Sequence, residues 1–155
     1  MEHGPHERCL VDGRKFRALN IIDDYNRESL ALEIDTSLPV LRVIRVLDRL
    51  LQSRVKPSAI RVDNGPGFIS DKLQLWCEAH QIKLLFIQPG KPVQNAFIER
   101  NNGSLRKELL DAYLFFSLQE VRIMAEEWRQ DYNCQRPHRS LGFVPPAEYI
   151  QSVSL

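Results

Sequence analysis

The sequence predicts one mixed α/β domain, and three observations carry that prediction. Its 155 residues are 43% hydrophobic and 26% charged, which is ordinary for a single globular domain. Apolar segments typical of strands open the chain, and apolar positions at helical spacing follow them. Strand-like and helix-like segments then alternate without a repeat or a linker that would divide the chain. This order favours a sheet with helices packed against it.

Four segments have the pattern of β-strands. Residues 16–22 form a mostly apolar run, and residues 30–34 alternate apolar and small or charged side chains. The polar residues 23–27 between them predict a hairpin. Residues 59–62 and 82–87 are short apolar runs, each closed by a segment rich in glycine and proline. We therefore expect two further strands there.

Four segments have the pattern of helices. The first uses the apolar positions 40, 43, 44, 47, 50 and 51 and ends before Pro57. Ser70 is expected to cap the second helix, and residues 95–110 form the third. Ser117 and Glu120 have the spacing of a capping box at the start of the fourth. Residues 1–9 contain Gly4 and Pro5 and are predicted to be an irregular leader. The tail after residue 135 is also predicted to be irregular.

Charge and cysteine usage narrow the functional classes. Twenty-one basic residues against 20 acidic ones give a net charge of +1, so binding to nucleic acid would need local basic clusters or metal ions. The three cysteines are far apart in the chain, which argues against a disulfide framework and for a reducing cytoplasm. No apolar run approaches the roughly 20 residues of a membrane span, so we expect no membrane partner.

Two carboxylates occupy positions suited to chemistry. Asp63 ends a predicted strand and opens a turn-rich loop, a place where α/β folds often put functional residues. Glu99 lies in the first turns of a predicted helix. Each also has a purely structural interpretation, since Asp-Asn-Gly is turn chemistry in itself and an acid favours a helix N-terminus. Both interpretations remain open on position alone.

Polar residues around Glu99 favour a site. Asn95, Glu99, Asn102 and Arg106 fall at i, i+4, i+7 and i+11, so one helix face carries two amides, a carboxylate and a guanidinium. We expect this face to lie outside the core. A carboxylate with a basic residue two turns on suits a metal ligand beside a phosphate contact. An exposed face of paired charges is the alternative interpretation.

Two segments resemble a known family. Residues 60–68 (Ile-Arg-Val-Asp-Asn-Gly-Pro-Gly-Phe) and 86–100 (Phe-Ile-Gln-Pro-Gly-Lys-Pro-Val-Gln-Asn-Ala-Phe-Ile-Glu-Arg) are similar to the integrase core domain of bacterial insertion-sequence transposases, which resemble retroviral integrases. Thirty-five residues separate Asp63 from Glu99, the spacing of that family. Arg106 stands seven positions beyond Glu99, where the family has a lysine or arginine. The resemblance extends from about residue 10 to residue 149.

The resemblance implies an RNase H-like fold with a five-stranded mixed sheet flanked by helices. It also implies a two-ion site for Mg²⁺ or Mn²⁺, in which Asp63 and Glu99 are catalytic, metal-binding carboxylates. Lys91, Arg100 and Arg106 are then expected to contact DNA. The implied activity is cleavage and transfer of DNA strands in transposition or integration. The implied partners are DNA, a second copy of the chain or a full-length transposase, in the bacterial cytoplasm at the nucleoid.

The chain departs from the family pattern at its start. The family's first aspartate would align with Gly4, and Gly67 stands where the family usually has glutamate. We therefore expect an atypical leader over residues 1–9, a truncated integrase core over residues 10–155 and an incomplete first strand. The two-ion site would lack one carboxylate and the activity would be impaired. The alternative is a catalytically dead remnant that binds DNA or pairs with an intact transposase.

Overall fold

The computed structural model describes residues 8–62, 70–86 and 96–134. Within these ranges the chain forms five strands, four α-helices and one π-helical segment. The strands are β1 (Arg8–Cys9), β2 (Lys15–Ile22), β3 (Ser29–Asp35), β4 (Ala59–Val62) and β5 (Lys83–Phe86). The helices are α1 (Val40–Ser53), α2 (Asp71–Ala79), α3 (Ala96–Leu105) and α4 (Leu118–Cys134), and the π segment is Arg106–Leu110. In the described residues no helix is long and apolar enough to cross a membrane.

The predicted hairpin is confirmed. β2 pairs antiparallel with β3 from Arg17 opposite Asp35 to Ile22 opposite Ser29, with one irregularity between Ile21 and Ile22. Alternation of side chains along β2 sends Phe16 and Leu19 to opposite faces, and both are buried. The hairpin is therefore covered on both sides.

β1 continues this sheet for two residues only. Arg8 lies opposite Phe16 and Cys9 opposite Lys15 in an antiparallel ladder. The expectation of an irregular leader is thus wrong for these two residues, because the turn at Gly13 (φ +90°) folds the chain back onto β2. Leu10 is buried beside them, so the local pairing is supported by core packing.

The second ladder is parallel. β4 and β5 pair from Ala59 opposite Lys83 to Val62 opposite Phe86, and α2 connects them. Ser70 caps α2 as predicted, since its hydroxyl accepts a hydrogen bond from the Lys72 backbone N–H at 3.2 Å. In the described residues the five strands form a three-stranded and a two-stranded ladder. A single five-stranded sheet and an incomplete first strand remain predictions.

α3 and α4 pack on one face of the hairpin. The Glu120 N–H donates to Ser117 Oγ at 3.2 Å, so Ser117 caps α4 as predicted. Glu120 Oε2 accepts from the N–H of Phe116 at 3.0 Å, one residue before the cap, in place of the Ser117 N–H of a full capping box. Asn133, near the end of α4, is hydrogen-bonded to both backbone groups of Ser29, at 2.7 and 2.9 Å. α4 is therefore held against β3 by side-chain contacts to the backbone.

Two hydrophobic cores result, one on each face of the hairpin. The first core, on the α3 and α4 side, contains Leu10, Phe16, Ile34, Leu105, Leu109, Leu110, Phe115, Val121, Ala125, Trp128 and Tyr132. The second core, on the α1 and α2 side, contains Leu19, Ala31, Val43, Val46, Leu47, Val62, Leu73, Cys77 and Ile82. Burial raises the pKa of the Cys77 thiol, in keeping with a structural role.

Candidate DNA-processing and metal site

The parallel ladder directs two chain segments to one edge. β4 and β5 run in the same direction and end opposite each other at Val62 and Phe86. Loops that follow the carboxyl ends of parallel strands are a common location for functional residues. Asp63 is the residue immediately after Val62. Asp63 and Lys91, both predicted site residues, lie outside the described residues.

Glu99 is placed in the first turn of α3 and is exposed. Its neighbour Ile98 is buried and lines a cavity of about 850 Å³. Val62, the residue before Asp63, is also buried and lines the same cavity. The two residues that directly precede the predicted carboxylates therefore converge on one cavity.

Buried amides attach α3 to β2. Asn20 Nδ2 donates to Asn102 Oδ1 at 2.9 Å and also to Asn101 Oδ1. All three side chains are buried. The expectation that Asn102 lies on a solvent-facing stripe with Glu99 is therefore wrong. Asn20 provides a polar partner inside the protein, so the amide can be buried without losing a hydrogen bond.

Asn20 attaches α3 to the hairpin, a role that the sequence pattern did not identify. A single asparagine inside the apolar run of residues 16–22 was the available signal. A buried amide in such a strand needs a partner, and the three-residue amide cluster provides it. The cluster lies on the buried face of α3 together with Ile98 and Leu105, whereas Glu99 is exposed.

Arg27 forms a second link between the hairpin and α3. Its guanidinium carbon lies 3.4 Å from the centroid of the Phe97 ring, a cation–π contact. Phe97 is 37% exposed beneath Arg27. Arg27 adopts a left-handed backbone conformation (φ 64°) in the hairpin turn. This contact brings a positive charge to the helix turn that carries Glu99.

Basic residues continue along the helix. Arg100 is exposed next to Glu99, and Arg106 is half-buried at the start of the π segment. Residues seven positions apart lie about 10 Å apart along an α-helix and on nearly the same side. Of the residues predicted to contact DNA, Arg100 thus follows Glu99 directly on α3, and Arg106 lies about two helical turns further along.

The turn of the hairpin adds acidic groups near the end of β4. Asp24 forms an ion pair with Arg61 at 2.9 Å, two residues before Asp63. Asp23 and Asp24 both line the cavity that Val62 and Ile98 share. Over residues 8–62, 70–86 and 96–134 no three His, Cys, Asp or Glu side chains form a cluster that could hold a metal ion. Glu99 is an exposed carboxylate, the oxygen ligand type that Mg²⁺ prefers.

Solved structures define the class of fold. The chain superposes on the BIV integrase catalytic core domain with a TM-score of 0.68 and 18% identity, over 97% of this chain and 93% of that one. The HTLV-2 integrase catalytic core domain in complex with magnesium gives a TM-score of 0.68 and 18% identity, over 94% and 91% of the two chains. The fold is therefore the RNase H-like fold of integrase catalytic cores, as predicted.

Sequence comparison identifies the family. A family described as "Integrase core domain" matches residues 6–92, and a second family of the same description matches residues 80–146. The chain belongs to the integrase core domain family. A 31.7 kDa protein of insertion element IS407 from Burkholderia multivorans is 41% identical over 91% of this chain, and a 39.2 kDa protein of IS476 from Xanthomonas euvesicatoria is 40% identical over 91%. This chain spans 51% and 41% of the lengths of those two relatives.

Proposed function

We propose that this chain acts on DNA in transposition or integration, with Asp63 and Glu99 as its metal-binding carboxylates. The observation that supports the proposal is that Val62 and Ile98, the residues directly before Asp63 and Glu99, line the same cavity. The 35-residue spacing and the family membership support the same assignment. Localisation at the bacterial nucleoid follows from an activity on DNA.

The proposed reaction is displacement at a DNA phosphorus. An attacking water or 3′-hydroxyl oxygen forms the new bond to phosphorus, its proton is lost, and the bond from phosphorus to the leaving oxygen breaks. Divalent ions, when bound, supply charge stabilisation for the attacking and leaving oxygens. Glu99, held outward by the buried amides of α3, presents a carboxylate to such an ion. Lys91, Arg100 and Arg106 contact phosphates and position the strand without reading its sequence.

We further propose that the activity is impaired, because the family's first aspartate aligns with Gly4 and two carboxylates are a small ligand set for two divalent ions. A catalytically dead remnant that binds DNA, or that pairs with a full-length transposase or a second copy, is the alternative. Two different measurements on the same variants distinguish these cases.

The first measurement is Mn²⁺-dependent nicking of supercoiled plasmid by the parent chain, Glu99→Gln and Glu127→Gln. Glu127 is an exposed glutamate on α4 and serves as the matched control. We expect weak nicking that Glu99→Gln abolishes and Glu127→Gln retains. Equal nicking by both variants would contradict a catalytic role for Glu99.

The second measurement is Mn²⁺ affinity, followed by calorimetry on the same three proteins. Because Glu99 contributes one carboxylate to the proposed site, Glu99→Gln should weaken Mn²⁺ binding by about tenfold or more, whereas Glu127→Gln should not change it. Retained metal binding without nicking by the parent chain would favour the remnant. Unchanged affinity in Glu99→Gln would remove this residue from the metal site.

A further inference from the structure

The inner face of α3 has polar residues at its centre. The buried positions of this helix are Ile98, Asn101, Asn102 and Leu105, at the i, i+3, i+4 and i+7 spacing of a single face. The two apolar residues lie at the ends of this face, and the two amides lie between them. Leucine at the central positions would bury the same face and leave no polar group to satisfy. The amides therefore carry a desolvation cost that their hydrogen bonds must offset.

The partner of these amides lies on a hydrogen-bonded strand. Asn20 is in the interior of β2, directly opposite Leu32 of β3 in the antiparallel ladder. Its Nδ2 donates to Asn102 Oδ1 at 2.9 Å and also to Asn101 Oδ1. One amide group thus contacts two successive residues of α3. Hydrogen bonds depend on direction, so this pair of contacts specifies the rotation of α3 more closely than apolar packing does.

α3 depends on such contacts because its own sequence favours a helix only weakly. It has ten residues before the π segment, and isolated helices shorter than about 12–15 residues are marginal in water. Gly103 and the two asparagines are also poor helix formers. The position of α3 in the protein is therefore set by its contacts with the sheet.

Glu99 lies on the same helical turn as the amides. It is three positions before Asn102, and residues at this spacing on a helix have Cβ atoms about 5–6 Å apart. Mg²⁺ takes oxygen ligands at about 2.0–2.1 Å in a nearly octahedral arrangement. A shift of α3 by one residue would move Glu99 by about 1.5 Å and turn it by about 100°. The carboxylate can therefore serve as a ligand only while α3 keeps one register.

We propose that Asn20 and Asn102 are positioning residues for Glu99, because the hydrogen bond between them sets the register of α3 on β2. The inference rests on the proposed role of Glu99 as a metal ligand. Neither amide touches metal or DNA in this proposal. Both act through the position of the helix, so loss of their hydrogen bond should lower metal affinity in a protein that still folds.

Asn102→Leu and Asn133→Leu are the matched variants. Leucine is close to asparagine in size, so each change removes hydrogen bonds without a large change in volume. Asn102 is 3% exposed and Asn133 is 5% exposed, but Asn133 lies on α4 and is hydrogen-bonded to Ser29. A purely structural effect would be similar in the two variants, whereas an effect on Glu99 belongs to Asn102→Leu alone.

Mn²⁺ affinity of the full chain, followed by calorimetry, is the first readout. Asn102→Leu should weaken binding about tenfold, the size of effect usual for residues that orient metal ligands, and Asn133→Leu should not change it. Equal affinities in these two variants would overturn the positioning role, and Glu99→Gln shows whether more has failed. A loss in Glu99→Gln would leave the proposed function in place, whereas unchanged affinity there would overturn both proposals.

A double-variant cycle tests the hydrogen bond itself. If Asn20 and Asn102 act through one bond, Asn20→Leu combined with Asn102→Leu should weaken Mn²⁺ binding no more than the stronger single change. Losses that multiply would mean that the two residues act independently, which would overturn the assignment to their shared bond.

Hydrogen exchange in the metal-free protein gives a readout that does not depend on the metal. Amides of residues 100–105 should lose protection at least about tenfold in Asn102→Leu, while those of α4 keep theirs, and Asn133→Leu should show the reverse. Equal loss of protection in both helices would indicate global destabilisation and overturn the proposal.

Gly103→Ala supplies a more stable background if Asn102→Leu fails to fold. A Cβ at Gly103 would meet nothing within 4 Å, and alanine favours a helix more than glycine does. The same pair of leucine variants is then compared in this background. Asn102→Leu should still weaken Mn²⁺ binding about tenfold relative to Asn133→Leu. Recovery of full affinity in the stabilised protein would show that the amide contributes only to folding.

Discussion

The two faces of the hairpin are covered in different ways. None of the buried residues of the first core lines the cavity of about 850 Å³. Five residues of the second core do line it, namely Val43, Leu47, Val62, Leu73 and Ile82. Among the described residues, the cavity therefore borders the second core and not the buried residues of the first.

Two links between elements can be compared, although ion pairs of Arg42 with Glu33 and Asp35 also hold α1 against β3. α4 is attached to the first face by hydrogen bonds that the side chains of Asn133, Arg129 and Arg122 donate to backbone carbonyls of β3. α2 is attached to α1 by an exposed hydrogen bond from Trp76 Nε1 to Asp48 at 2.8 Å. Buried contacts to the backbone contribute more than exposed ones, because an unmade buried hydrogen bond leaves a desolvated group. We therefore expect the first face to tolerate substitution less well.

The largest contrast is expected from two leucine truncations. Leu105 is fully buried in the first core. Leu73 is 1% exposed in the second core and lines the cavity of about 850 Å³. Leu105→Ala should lower the free energy of unfolding by about 4–5 kcal/mol and Leu73→Ala by about 2–3 kcal/mol, because the wall of an existing cavity has fewer contacts to lose. Urea unfolding of both variants measures the difference. Equal losses of unfolding free energy in the two variants would mean that the cavity wall is as closely packed as the first core.

The next contrast compares two polar links. Asn133→Ala removes a buried side chain that accepts from the Ser29 N–H at 2.7 Å, so it should cost about 2 kcal/mol of unfolding free energy. Asp48→Ala removes the exposed acceptor of Trp76 and should cost less than about 1 kcal/mol. Thermal and urea unfolding provide both values. A loss for Asp48→Ala as large as that for Asn133→Ala would remove the proposed distinction between the faces.

The smallest effect is a pH dependence at the link between α1 and β3. Glu33 accepts from Arg42 at 2.6 Å and from Arg49 at 3.0 Å. Burial opposes ionisation of Glu33, but these two arginines outweigh it and hold the pKa of the carboxyl below its ordinary value of 4.5. The ionised pair therefore contributes to stability above pH 4.5, and the contribution is lost as pH falls through the lowered pKa.

Glu33→Gln tests this dependence. At pH 7 the variant should be less stable than the parent by about 1 kcal/mol, and the difference should disappear in acid once Glu33 of the parent is protonated. Glu78→Gln, an exposed position on α2, provides the baseline. A stability difference that stays constant from neutral to acidic pH would show that the charge of Glu33 contributes nothing.

Local sequence signals predicted much of the fold. The strand at residues 59–62 has the predicted bounds, and the caps at Ser70 and Ser117 are formed. Helix caps depend on residues two or three positions apart, so the local sequence is enough to predict them. The hairpin was likewise predicted from alternation and a polar turn. The exposure of Glu99 on α3 is also as predicted.

Contacts between distant residues were not predictable in the same way. The Asn20 amide lies 81 and 82 positions from its partners on α3, and no local pattern indicates such a pairing. Arg27 over Phe97 is a contact of the same kind. Both contacts join α3 to the hairpin. As a result Asn102 is buried, although its position in the sequence predicted an exposed side chain.

By itself, the sequence determined four strands and four helices, their order, and the two carboxylate positions separated by 35 residues. Only the tertiary structure decided that Val62 and Ile98 line one cavity, which residues of β2 and β4 also line. The physical reason is the range of the interactions. Periodicity and capping are set by neighbours in the chain, whereas strand edges and cavities exist only after remote segments have packed.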